Sequence, residues 1–130
     1  GTPQNMQGLT DYKDLIKDVV YYFSERIHAA RNHGISDLII DLGFGFAKTL
    51  KQNYHLLNNL DLFKILEMPI LIGVSRKSMI YKLLDTSPEN ALNGTTSLNT
   101  VSLMNGANIL RVHDAKEAMQ CITLIDQLSS

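Results

Sequence analysis

Three short, solidly apolar runs, Leu38-Ile39-Ile40, Ile70-Leu71-Ile72 and Ile109-Leu110-Arg111-Val112, are separated by long stretches of helical periodicity, and nothing else constrains this chain as much. Runs this short, with no polar alternation, fit strands buried on both faces. Their spacing of roughly thirty to forty residues leaves room for one helix in each right-handed crossover between parallel strands. The expected class is α/β, with three parallel strands and their helices.

The intervening segments agree. Leu15, Ile16, Val19, Val20, Phe23, Ile27 and Ala30 recur every three to four positions and predict an amphipathic helix from Asp11 to Asn32, with Thr10 as its cap and Gly34 ending it. After the first strand come a Gly-rich turn, Gly43 to Ala47, and a helical stretch carrying Tyr54, Leu57, Leu60 and Ile65; Pro69 introduces the second strand. Ser75-Arg76-Lys77-Ser78 leads into a short helix. Ser87-Pro88 reads as an N-cap with proline at the first helical position, and a longer helix through Leu98, Val101 and Met104 ends near Gly106. Asp114 and Glu117 resemble a capping box for a last helix with Ala118, Ile122 and Ile125 on its apolar stripe.

Three parallel strands cannot close a barrel, and their apolar faces and edges need cover. At 130 residues and 45% hydrophobic content there is material for one packed domain, 1–130, and not for two. The start, Gly1-Thr2-Pro3-Gln4, reads like the middle of a loop, so the expectation is a piece of something longer whose open edges are covered by self-association, such as a homodimer. A formal charge of -1 supplies no field for a nucleic-acid backbone. The single cysteine, Cys121, excludes an internal disulfide, and no apolar run reaches membrane-spanning length; with no signal peptide at Gly1, the expected compartment is cytoplasmic.

In parallel α/β folds the loops after the strands' C-terminal ends form the site, and all three here carry chemistry. The first, Asp41-Leu42-Gly43-Phe44-Gly45-Phe46-Ala47-Lys48, sets a carboxylate at a strand end among small residues. An ionised carboxylate matches paired N–H donors such as those of a 2-aminopyrimidinone ring; the alternative is that Asp41 only caps its own turn. The second, Ser75-Arg76-Lys77-Ser78, sets two cations and two hydroxyls at a helix start, either an anion site or a solvated basic turn. In the third, Arg111 and His113 share one face of a strand, where a buried guanidinium requires an anionic partner from a ligand or from Asp114. His28, His33 and His55 have no partner at metal-ligand spacing, and nothing in the sequence decides whether Lys48, Asn53 and Thr95 support the loops.

Asp41-Leu-Gly-Phe-Gly-Phe-Ala-Lys48, Ser75-Arg-Lys-Ser78, Gly94-Thr95, Gly106-Ala107 and Arg111-Val-His113-Asp114, preceded by Gly1-Thr2-Pro3 and Met6-Gln7, together resemble in order and spacing the C-terminal signature series of the dihydropteroate synthase family. The resemblance covers essentially the whole chain. It implies a partial (β/α)8 TIM barrel, with strands six to eight in this chain and about half of the enzyme absent, so that catalysis by this chain alone is not expected. The implied reaction joins 6-hydroxymethyl-7,8-dihydropterin diphosphate to p-aminobenzoate, giving 7,8-dihydropteroate and diphosphate. Carried over residue by residue, the resemblance implies catalytic roles for Lys77, Arg111 and His113. It implies pterin contacts from Asp41, Gly45, Lys77 and Arg111, p-aminobenzoate contacts from Phe46, Lys77 and Ser78, and diphosphate contacts from Arg111 and His113. Mg2+ assists in the family through the first barrel strand, outside this chain, and no metal is expected on these residues. Leu42 stands where the family usually has proline, which puts the placement of Asp41 in question. Two other readings remain: a non-catalytic half-barrel that binds ligand or self-associates, and another pterin-binding barrel such as a methyltetrahydrofolate-dependent corrinoid methyltransferase. The second has no diphosphate for the basic loops to hold.

Overall fold

The structure, a computed structural model, describes residues 9–45 and 48–128. Helix α1 (Leu9–Asn32) lays Ile16 and Ile27 into the core, with Leu15, Val19, Val20 and Phe23 packed beside them. Its end is a left-handed cap: Gly34 at φ +80°, with the Gly34 amide donating to the Arg31 carbonyl at 2.9 Å and the Ile35 amide to that of Ala30 at 3.0 Å. Strand β1 (Ile40–Asp41) follows, then α2 (Leu50–Asn58), opened by a reciprocal capping box between Thr49 and Gln52. A 3-10 helix, Leu60–Leu66, ends at Glu67 in the left-handed region and leads to β2 (Ile70–Ile72). The short α3 (Ser78–Tyr81), a 3-10 turn at Pro88–Asn90, α4 (Leu92–Met104), β3 (Ile109–Leu110) and α5 (Ala115–Leu128) complete the order.

The sheet runs β1-β2-β3, all parallel, pairing Ile40 with Ile70, Asp41 with Leu71, Leu71 with Ile109 and Ile72 with Leu110. It is open: among the described residues β1 and β3 are its edges. Ile40, Ile70 and Ile72 are buried with Leu56, Leu57, Leu60, Phe63, Val74 and Met79 in one core. Among the described residues no helix is long and apolar enough to cross a membrane.

Several expectations needed correction. Thr10 lies inside α1 and does not precede it. Ile39 is 57% exposed because it precedes a two-residue edge strand in a sheet with one uncovered side, so the first apolar run is not buried on both faces. Ile65 is 76% exposed, since the 3-10 geometry of Leu60–Leu66 moves it off the 3.6-residue stripe of α2. α4 turns small polar residues, Thr95, Asn99 and Ser102, to the interior, so Val101 and Met104 stay exposed. Gly94 follows the same packing: a Cβ there would collide with Ile80 Cγ2.

Candidate functional site

All three loops begin at the same end of the parallel sheet, so a short stretch of sequence after each strand delivers its side chains to one place. β1 ends in Asp41, whose Oδ1 accepts the Gly43 amide at 3.0 Å, the local turn that the sequence left as an alternative. Its other oxygen, Oδ2, accepts from Arg111 Nη1 at 2.7 Å, across the end of the central strand. The turn-capping reading of Asp41 therefore holds, and its second oxygen is engaged by Arg111. Burial pushes the Asp41 carboxyl up; hydrogen bonds from Arg111 and the Gly43 amide, with the charges of Arg111 and Lys77, outweigh it and hold the group below its ordinary value.

Leu42 follows Asp41 directly in this loop. Its side chain is buried, and Lys48 Nζ donates to the Leu42 and Gly43 carbonyls, each at 3.2 Å. Further along, buried Asn53 accepts the Gly45 amide at 3.2 Å, and Lys77 Nζ donates to the Phe44 carbonyl at 2.9 Å. Lys48 and Asn53 thus support the first loop. Gly45 lies against the Lys77 stem, where a Cβ would be 3.6 Å from Cδ. Phe46 and Ala47 lie outside the described residues. Burial lowers the Lys77 ammonium below its usual value, helped by the charges of Arg111 and Lys48 and opposed by Asp41.

The third strand ends sooner than its sequence suggested. β3 stops at Leu110, so the Arg111 side chain is 55% exposed and is not sunk in a strand interior; its anionic partner is Asp41, not Asp114. The guanidinium lies over Gly73, where a Cβ would meet Nη2 at 2.5 Å and Cζ at 2.9 Å. The sequence reading passed over this glycine, whose one visible signal was its place directly after the second apolar run. Buried Ser75 accepts the His113 amide at 3.1 Å, and its hydroxyl lies 2.8 Å from His113 Nδ1.

Arg76 turns away from the other cations. Nε and Nη2 bond both oxygens of Asp114 at 2.9 and 3.0 Å, and Nη1 donates to the Pro88 and Glu89 carbonyls. Hydrogen bonding to Arg76 holds the Asp114 carboxyl below its ordinary value and raises that of the guanidinium. Asp114 directly precedes α5, its carbonyl accepting the Ala118 amide at 3.1 Å, while its side chain is held by Arg76. Ser78 begins α3, a helix of four residues with Lys77 at its cap position.

Gly73, Ser75, Lys77, Arg111, Val112 and His113 line a cleft of about 150 Å³. Complete small-molecule sites span roughly 300–1,000 Å³, so this is one wall of a pocket and not a whole one. A larger groove of about 500 Å³ between α2 and α4, lined by Tyr54, Leu57 and Leu98, gathers no carboxylate. Among the described residues no group of three or more His, Cys, Asp and Glu could hold a metal ion.

The structure thus has an open parallel sheet of the α/β class whose strand ends gather a carboxylate, Asp41, with the basic side chains Lys77, Arg111 and His113. Residues 1–113 match the family described as pterin binding enzyme, and the chain belongs to that family. It is 40% identical over 128 residues to the dihydropteroate synthase of Escherichia coli (strain K12), and 43% identical over 131 residues to that of Synechocystis sp.. These alignments cover 97% and 98% of this chain and 45% of each relative, so the chain spans about half the length of the curated relatives it matches. Among solved structures, Yersinia pestis dihydropteroate synthase in a sulfonamide drug complex superposes with a TM-score of 0.87 at 37% identity, over 99% of this chain and 48% of that one. The Coxiella burnetii enzyme in complex with pteroic acid gives 0.89 at 35% identity, over 95% and 46%. The fold is accordingly part of a (β/α)8 barrel, with its sheet not closed.

Proposed function

We propose that this chain forms the C-terminal wall of a dihydropteroate synthase site, which joins a dihydropterin methyl diphosphate to p-aminobenzoate in folate biosynthesis. The observation that supports the reading is the Asp41–Arg111 contact at 2.7 Å, which brings a carboxylate of the first loop and a guanidinium of the third together, the one to take the ring and the other the anion in this reading. The pair is exposed and contributes about 0–1 kcal/mol, so a ligand presenting N–H donors to Asp41 and a diphosphate to Arg111 displaces it at little cost.

In this reading Asp41 accepts from the pterin amino and ring N–H edge, and Gly45 and Phe46 line the pocket. Lys77 lies between the pterin and p-aminobenzoate, and Ser78 lies near the aminobenzoate carboxylate. As the aromatic amine attacks the pterin methylene carbon, the carbon–oxygen bond to diphosphate breaks and its electron pair leaves with the diphosphate. Arg111 and His113 stabilise that developing charge, and the enzyme otherwise contributes positioning. No step here depends on a metal ion.

The test is calorimetric titration of the folded 130-residue chain with diphosphate and with a dihydropterin, beside Arg111→Ala and Asp41→Asn. Diphosphate binding is expected to vanish in the first variant, and pterin binding in the second. A folded chain that binds neither ligand would sink the proposal. The open β1 edge and exposed Ile39 favour a second reading, a non-catalytic fragment that self-associates. It predicts a concentration-dependent mass by light scattering, and a monodisperse monomer refutes it.

A further inference from the structure

Backbone pairing of β2 with β3 stops at Ile72 and Leu110, yet its register continues in side chains. Gly73 lies beneath the Arg111 guanidinium, Ser75 bonds both the amide and Nδ1 of His113, and Arg76 bonds Asp114 with two parallel hydrogen bonds. The last two pairs are separated by 38 residues, the same offset as Leu71 with Ile109. We propose that Arg76 is a positioning residue and not an anion ligand: with Asp114 it makes the outermost side-chain rung of the β2–β3 ladder and so fixes Lys77 and His113.

The chain geometry gives the rung its effect, because Arg76 immediately precedes Lys77 and Asp114 immediately follows His113. Locking residues 76 and 114 together therefore fixes the separation of the two ligand-facing side chains before any ligand arrives. The guanidinium is already committed on both edges, since Nη1 bonds the Pro88 and Glu89 carbonyls while Nε and Nη2 hold the carboxylate. Such a fork matches a planar donor set that a lysine cannot supply. Arg76 also adopts φ +54°, a left-handed conformation that a non-glycine residue keeps only where its surroundings over-determine it. Here its amide donates to Thr95 Oγ1 at 3.0 Å, and Thr95 is buried. What Lys77 and His113 hold rests on the proposed function; the rung itself does not.

The test is a double-mutant cycle on the full chain with Arg76→Ala and Asp114→Asn, plus Arg76→Lys. It reads amide exchange at residues 75–77 and 112–114, and diphosphate affinity across a salt series. Either single substitution is expected to speed exchange in both loops by the same factor. The double variant should add nothing further, and Arg76→Lys should not restore protection. Diphosphate affinity should fall in parallel in the two singles with its salt dependence kept, whereas Arg111→Ala should flatten that dependence. The inference is overturned if Asp114→Asn tightens diphosphate binding while Arg76→Ala weakens it and flattens the salt dependence, since Arg76 would then be a ligand. If the parent chain binds no diphosphate and no pterin, the functional reading fails. The exchange cycle still decides the rung: additive, independent effects on the two loops reject it.

Discussion

Replacing Gly73 with alanine separates what holds the chain together from what holds its site in place. The new Cβ would stand 2.5 Å from Arg111 Nη2, 2.9 Å from Cζ and 3.0 Å from Nε, against an ordinary contact of 3.4 Å or more. The guanidinium must therefore retreat by roughly 1 Å, and it is the group that yields because it is the far end of an exposed, flexible side chain. The 2.7 Å bond to Asp41 does not survive that retreat. For stability the terms are small and opposed: an exposed ion pair contributes about 0–1 kcal/mol, and removing a glycine's unfolded-state freedom returns about 0.4–1 kcal/mol. The midpoint of urea unfolding is expected to move little. At the site, diphosphate binding should weaken because the guanidinium no longer rests over the end of β2, though less than in Arg111→Ala, which removes the cation. Carboxyl NMR supplies a readout that needs no ligand. Arg111 opposes the upward push of burial on Asp41, so displacing it should raise the Asp41 pKa toward its ordinary value. An unchanged Asp41 titration in a folded Gly73→Ala chain would falsify the geometry on which this reasoning stands.

Phe63 is fully buried in the core beneath the sheet, and Phe63→Ala should destabilise the chain by about 3–5 kcal/mol, read as a fall in urea midpoint at unchanged slope; a loss under about 1 kcal/mol would mean that the core is not packed as described. Asp41 and Asp114 both have depressed folded-state values, so their stabilisation is fully present above the unfolded carboxylate value near ~3.9 and is lost as pH falls through the folded values. Lys77 is depressed as well, so its contribution has the opposite form: the charged group is disfavoured in the fold, and stability rises as pH climbs through the folded value toward the unfolded one near ~10.4. Urea melts across pH check both limbs, and Asp114→Asn should flatten the acid one.

The strands and crossovers were legible because burial writes itself into sequence as unbroken apolar runs, and Ile70-Leu71-Ile72 became β2 with the bounds expected. The helix end at Gly34 was legible because a left-handed cap has a chemical preference that one residue reveals. Exposure at Ile39, Ile65 and Met104 was not, because it depends on which face a neighbour covers and on a switch to 3-10 geometry. The three strand-end loops could be found from the α/β pattern, but the pairing among their charges could not. Arg76 and Lys77 are adjacent cations in the sequence, and only the left-handed backbone at Arg76 sends one toward Asp114 and the other toward the Phe44 carbonyl. Gly73 had no signal beyond its place in the chain, since the side chain it accommodates arrives from Arg111, after β3.

The two arginine–aspartate pairs show why the division of labour falls as it does. Arg76–Asp114 uses two parallel bonds, and its side chains are only 21% and 22% exposed; Arg111–Asp41 rests on one bond, with side chains 55% and 41% exposed. Water and salt compete more easily for the second pair, and its geometry leaves Nη2 and Nε of Arg111 unused by that bond. A fork whose donors are satisfied within the protein gains nothing by turning to a ligand, whereas a singly bonded, half-exposed guanidinium gains a second bond by doing so. Exchange of partners should therefore occur at Arg111 while Arg76 stays in place. The ordering of the two pairs follows from the sheet: the pair that crosses over the end of β2 needs a glycine beneath it and lies open, while the pair between adjacent strand ends continues their register and is partly enclosed.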